Sequence, residues 1–248
     1  MKNFFLTTIV ENIKTLFFAL LIAVIIRSLF FQPFYIPSSS MEPTLLIGDR
    51  IFVSKYSYGY SKHSFPFSPS FYEKRIFPKK PKRGDLVVFK TPTDNRTDYI
   101  KRLIGIPGDT IQFLDGKFIL NGKIIKREVY NLKTNNRCGP FNFKYNFFIE
   151  TLPNGTEYIA AYNEKDTYKD DKIFIVPQDH YFFMGDNRDC SNDSRIDVGY
   201  VHKVNLVGKA QIVFFSNDTI SGSIFKFWNW DQSLRIDRFF KLLKWQIL

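Results

Sequence analysis

The chain has 248 residues, enough for one sizeable domain or a core with a large insertion. A hydrophobic share of 44% excludes wholesale disorder, and two cysteines, Cys138 and Cys190, are too few for a disulfide scaffold; whether they pair is open at this level. The formal charge of +11 calls for an anionic partner, nucleic acid or a phospholipid surface, while three scattered histidines and the lack of zinc-type Cys/His spacing argue against a metal site.

Residues 1–12 read as a short tail. Ile13 to Phe31, IKTLFFALLIAVIIRSLFF, then forms the first element, with an unbroken apolar run from Leu16 to Ile26. Nineteen helical residues span roughly 28 Å, close to the hydrocarbon thickness of a bilayer. Arg27 lies near one end, where it snorkels to the headgroups. A cleavable signal peptide has a similar apolar run, but no small-x-small site follows in RSLFFQPF. The segment 13–31 is therefore read as a retained membrane anchor. Lys2, Lys14 and the terminal amine favour an inside N-terminus against Glu11 and Arg27, which puts nearly the whole chain outside.

Three serines follow, in PSSSMEPTLLIGDR, Pro37 to Arg50. Beyond them, short apolar or alternating runs separated by turn signals predict an all-β, antiparallel core. Ile51–Tyr56, Asp85–Lys90 and Tyr99–Ile104 are strands. Thr110–Leu114 and Lys117–Leu120 are joined by Asp115-Gly116, and Asn121-Gly122 turns into Lys123–Ile125. His180–Met184 and Leu206–Phe215 complete the set. The core takes residues 32–112 and 178–248, and residues 113–177 form an inserted β subdomain. Tyr56 to Arg83 is read as an exposed ribbon or loop. At the C-terminus, SLRIDRFFKLLKWQIL places Ile236, Phe240, Leu243 and Ile247 on one helical face with basic residues opposite, which predicts a short amphipathic helix.

Motifs for a Gly-x-Ser-x-Gly elbow, a zinc helix or a dinucleotide loop are absent. A serine hydroxyl needs a neighbour to take its proton, and a lysine held neutral by burial can serve. Most lysines lie in polar runs. Lys101 lies in the strand DYIKRLIG, sharing a face with Tyr99 and Leu103, while Arg102 shares the other with Ile100 and Ile104. Periodicity alone allows either basic residue to face the core.

The boxes PSSSMEPTLLIGDRIFVSKYSYG, RGDLVVF, DYIKRLIGIPGD and GDNRDCSNDSR followed by GYV, in this order behind an apolar segment, resemble bacterial type I signal peptidase over the chain up to about Ala210. The resemblance implies a periplasmic β domain on a single-pass anchor in the bacterial inner membrane, and cleavage of signal peptides from preproteins; no cofactor or metal is expected, since no ligand set is visible. It implies Ser40 as nucleophile, Lys101 as general base, and Ser38 as an oxyanion-hole hydroxyl beside the Ser40 N–H. It implies that Ser191 orients the Lys101 amine, that Asp193 and Arg195 form an ion pair, and that Asp186 and Asn187 shape the turn. Ile36, Met41, Leu45, Tyr99 and Ile100 would line pockets for small side chains. Ser39 and Cys190 depart from residues frequent in the family, at positions without an assigned role.

Two other readings stand beside it. One is a specialised peptidase for pilus or conjugation proteins. The other is a non-enzymatic, membrane-tethered basic module, although no aromatic-basic motif for nucleic acid is present, and no nucleic-acid partner is expected. The expected partners are preproteins and the phospholipid membrane.

Overall fold

A computed structural model describes residues 2–66, 68–69, 74–114, 116–132, 137–138, 141–142, 144–163, 172–218 and 230–243. Helix α1 runs from Lys2 to Leu29. Its 22-residue stretch Thr8–Leu29 has a mean hydropathy of 2.2 and, up to its last turn, is uncovered by the rest of the chain, which suits lipid rather than water. The helix ends two residues before the expected Phe31. Pro33 lacks an N–H and disfavours helix in the residue before it, so the chain extends. Phe31 already begins strand β1 (Phe31–Tyr35). Proline is tolerated there because β1 is an edge strand.

Strands β2 (Asp49–Ser54), β3 (Leu86–Lys90), β4 (Asp98–Gly105), β5 (Thr110–Leu114), β6 (Lys117–Leu120) and β7 (Lys123–Ile124) follow. Then come β8 (Lys126–Tyr130), β9 (Arg137–Cys138), β10 (Phe141–Asn142), β11 (Tyr145–Thr151), β12 (Glu157–Asn163), β13 (Ile173–Ile175) and β14 (His180–Met184). β15 (Val201–His202), β16 (Leu206–Ser216), a short helix α2 (Trp230–Ser233) and β17 (Lys241–Leu242) complete the described chain. The main sheet has the order β1-β2-β16-β3-β4-β14-β15, with β17 on β16; β12-β11-β8 and β13-β5-β6-β7 form two smaller sheets. Pairings between named strands are antiparallel, as the alternating pattern predicts. Asn121 and Gly122 both have positive φ, 52° and 73°, which is why Asn-Gly makes the tight turn from β6 to β7.

Two expectations need correction. Tyr56 to Arg83 is not an exposed ribbon throughout: Tyr58, Ser61, His63 and Ser64 are buried, and Tyr60 bridges to Ile76. The Tyr58 hydroxyl donates to Asp85 at 3.0 Å, which draws the segment inward. Nor does the C-terminal amphipathic helix form within the described residues. Ile236–Arg238 is one 3-10 turn, Lys241–Leu242 pairs with β16, and Ile236 and Phe240 are exposed. The cause is Arg238, whose guanidinium is buried and donates to both oxygens of Asp49, at 3.0 and 2.5 Å, and to the Thr44 carbonyl at 3.0 Å. A helix with its basic residues turned to water would forfeit those bonds. Residues 244–248 of that expected helix lie outside the described residues.

The β12-β11-β8 sheet is fastened to the segment after β14 by a buried charge cluster. Glu150, in β11, pairs with Arg188 at 2.5 Å and with Arg127 at 2.9 Å, and accepts from the hydroxyls of Tyr158 and Tyr162. Glu150 and Arg188 have 0% and 2% exposure, so neither charge can turn to water. Removing one partner of such a pair strands the other. Glu150→Gln is expected to cost about 3 kcal/mol or more of stability. Urea unfolding of the full chain in detergent, followed by far-ultraviolet circular dichroism, measures it; a loss under about 1 kcal/mol would contradict the assignment.

Candidate active site

The serine loop leaves β1 at Ile36 and re-enters the sheet at β2. Ser39–Met41 form a single 3-10 turn, with all three residues buried. The first N–H groups of such a turn have no partner within it, so the Ser40 N–H is left without a bond inside the turn. The loop is fixed from the other side by Asn187, whose backbone N–H donates to the Ser40 carbonyl at 3.1 Å and whose side chain donates to the Ser39 carbonyl at 3.2 Å. The Glu42–Pro43 peptide is cis.

Strand β4 delivers the lysine. Its Nζ donates to Ser40 Oγ at 2.5 Å, and Ser38 Oγ stands 3.3 Å from the same oxygen. Both faces of β4 are covered: Leu103, which points to one side, and Ile104, which points to the other, are each fully buried. Periodicity could not choose between Lys101 and Arg102 for this reason: both point into the protein, at 4% and 3% exposure. They are handled differently. Arg102 is clamped by Asp186 through bonds of 2.7 and 2.6 Å, and Thr44 Oγ1 donates to the same carboxylate at 2.5 Å. Asp193 is paired with Arg195 at 2.8 Å and accepts from the Gly185 N–H at 2.9 Å.

The electrostatic consequence falls on Lys101. Burial removes water from its amine and favours the neutral form. Asp193 and Asp186 pull the other way, but each is already neutralised by an arginine. Burial wins, and the Lys101 pKa is pushed down to about 8. Asp193 shows the opposite balance: burial raises its pKa, while Arg195 and the hydrogen bonds outweigh burial and hold it below the ordinary carboxylate value.

The expected residues fall into place unevenly. Ile36, Met41, Tyr99 and Ile100 line a groove of about 420 Å³ together with Ser38, Ser40 and Lys101. Leu45 does not; it is fully buried in the core behind the loop. The Asp193–Arg195 pair is formed as expected. Asp186 serves as the counter-ion of Arg102 rather than only as a turn former. The expected Ser191–Lys101 hydrogen bond is not made: Ser191 Oγ is buried without a partner among the described residues. It lies beside Gly185, where an added Cβ would stand 2.3 Å from Ser191 Oγ and 2.5 Å from the Ser40 carbonyl oxygen. Only glycine lets these two segments approach. The sequence offered Arg102 only as an alternative to Lys101 for the core face, and gave no sign of Thr44; the apolar residues Ile100, Leu103 and Ile104 around the two basic residues were the one signal of two buried faces.

The groove's far wall includes Cys190, disulfide-bonded to Cys138 of β9 across a separation of 52 residues. Ser39 Oγ lies 3.7 Å from its sulfur. Among the described residues no group of His, Cys, Asp and Glu could hold a metal ion.

The depressed pKa has a thermodynamic signature. The folded chain binds a proton at Lys101 less readily than the unfolded chain does, so the penalty is present below pH 8 and relieved as pH rises toward 10.5. Lys101→Met is expected to raise stability at pH 7 by roughly 3 kcal/mol, with the difference shrinking above pH 8. Urea unfolding of both proteins at pH 7 and pH 10 checks this; a difference independent of pH would contradict it.

Comparison with known proteins shows which proteins the chain is similar to. The family model for signal peptidase, peptidase S26, matches residues 9–215. Signal peptidase I of Rickettsia typhi is 42% identical, covering 95% of this chain and 94% of that protein, and signal peptidase I of Rickettsia prowazekii is 41% identical over the same shares. A crystal structure of a signal peptidase I from Enterococcus faecalis is 27% identical, covering 53% of this chain and 97% of that one, at a TM-score of 0.31.

Proposed function

The chain belongs to the signal peptidase family, peptidase S26, and from that premise we propose that Ser40 is its nucleophile and Lys101 its general base. The protein is a membrane-anchored serine endopeptidase that removes signal peptides from preproteins. The observation that carries the residue assignment is the 2.5 Å contact between a buried lysine amine and a serine hydroxyl at the floor of the groove.

With the amine neutral, its lone pair accepts the Ser40 proton as Oγ attacks the scissile carbonyl. The negative oxygen that develops is met by the Ser40 N–H and the Ser38 hydroxyl. The Lys101 ammonium then returns its proton to the leaving amine, and later takes one from the water that hydrolyses the acyl-enzyme. Ser191 and the Asp193–Arg195 pair act on the lysine's surroundings rather than on substrate. Ile36, Met41, Tyr99 and Ile100 offer a shallow apolar surface suited to small side chains beside the cut. We place the anchor in the bacterial inner membrane, with Lys2 and Lys14 on the cytoplasmic side and the β domain on the periplasmic side, where a translocated signal peptide presents its cleavage site. Residues 113–177 are read as an insertion into the catalytic core.

At pH 7 only about a tenth of the lysine is neutral when its pKa is about 8. The value of kcat/KM on a preprotein is therefore expected to rise about tenfold per pH unit below 8 and level off above it. A profile flat from pH 6 to 9.5 would refute the base assignment. Ser40→Ala and Lys101→Ala are each expected to lower kcat by roughly 10⁴-fold or more. Ser38→Ala, which removes one oxyanion donor, is expected to cost on the order of 10²-fold in kcat with KM little changed. Cleavage of a purified preprotein in detergent reads all three.

A further inference from the structure

Where α1 meets the β domain lies a second cavity of about 150 Å³, lined by Phe34 in common with the groove but by none of the three serines. Its lining comes from four places: Arg27 and Ser28 of the last turn of α1, Lys55 just after β2, His63 of the 3-10 turn Lys62–Ser64, and the pair Lys90 and Asp98. None of these groups has a part in the chemistry above.

The charges in this cavity do not balance. Lys90 and Asp98 satisfy each other at 2.8 Å. Arg27 and Lys55 have no acidic partner within salt-bridge distance among the described residues. Lys55 is 2% exposed and donates to the Ser64 carbonyl at 2.7 Å, which leaves two of its three donors. Burial first, and the charge of Arg27 second, push its pKa down to about 8. Ser28 Oγ and His63 Nε2 are buried without partners among the described residues. His63 Nδ1 lies 3.1 Å from Ser68 Oγ; when that hydroxyl donates to it, Nε2 carries the ring proton and is itself a donor. Burial and the surrounding cations push the His63 pKa down to about 4, so the ring is neutral at pH 7. Buried polar groups rarely stay unpaired. Here the unspent groups are donors and the surplus charge is positive, which is the complement of a small oxyanion.

The cavity's position selects the source of that anion. Arg27 and Ser28 close the apolar stretch that is long enough to cross a bilayer, and the end of the helix is tied to the domain by the Tyr60 hydroxyl donating to the Leu29 carbonyl at 2.9 Å. The cavity therefore stands at headgroup level, where phosphodiesters are the abundant anions. We propose that this cavity is a phosphate site that takes the headgroup of a phospholipid and clamps the β domain to the membrane in a fixed orientation. The proposal needs α1 to lie in a bilayer, but it does not depend on the assignment of Ser40 and Lys101.

Native mass spectrometry of the full chain, released from micelles doped with phosphatidylglycerol or with diacylglycerol, tests it without reading activity. The wild type is expected to retain one phosphatidylglycerol and no diacylglycerol, with the lipid displaced by millimolar inorganic phosphate. Arg27→Gln, on an exposed helical position that the domain fold does not use, is expected to weaken retention about tenfold, the size of one charge-assisted hydrogen bond. Lys55→Gln, where it folds, is expected to do the same, and Lys80→Gln, in the exposed basic run, to match wild type. Equal retention by wild type and Arg27→Gln, or equal retention of diacylglycerol, overturns the proposal. Protection of the chain by inorganic phosphate without any retained lipid overturns the headgroup as its source.

Discussion

An amine stripped of water, with every nearby carboxylate already claimed, is the constraint on which the site depends. Lys101 is 4% exposed, and the two carboxylates that bear on it are held by Arg195 and Arg102. An acid without its arginine would stabilise the ammonium more strongly and raise the lysine pKa. The arginines thus act at one remove: they occupy the acids so that burial outweighs them at the lysine. Such a site is costly to the fold, and the cost is carried by a strand covered on both faces within a seven-strand path of antiparallel pairings.

Much of this was legible in the sequence, for physical reasons. A two-residue alternation identified β4 and placed Tyr99, Lys101 and Leu103 together, and Asn121-Gly122 announced its turn because few other residues accept two positive φ values. The ordered boxes located Ser38 and Ser40 on the loop that the structure brings to Lys101. What stayed hidden depends on contacts between distant segments. Nothing local marks Arg102 as the partner of Asp186, or Glu150 as the partner of Arg188. The C-terminal segment misled for the same reason. Its helical periodicity is real, but one long-range pair, Arg238 with Asp49, overrides it. The resemblance implied Leu45 as a groove residue, and the chain turns it inward.

Anchor and groove are joined almost without a spacer. Helix α1 ends at Leu29, and β1, which begins at Phe31, supplies Phe34 and Tyr35 to the groove wall. The exposed rings of Phe30, Phe31 and Tyr35 lie along this junction, where aromatic side chains favour the boundary between lipid and water. Tilting the helix therefore tilts the groove. A substrate that is itself held by the bilayer meets a cleft whose height and direction are set by the same lipid layer.

The Cys138–Cys190 bond makes the two sides of that cleft unequal. By closing a loop of about fifty residues it removes chain entropy worth about 4 kcal/mol from the unfolded state. It also rivets the Cys190 side to the small β9–β10 hairpin, whereas the opposite side, formed by the unpaired edge of β1, has no covalent restraint. One side of the cleft is thus tied covalently to the β domain, and the other is continuous with the helix that is apolar enough to cross a membrane.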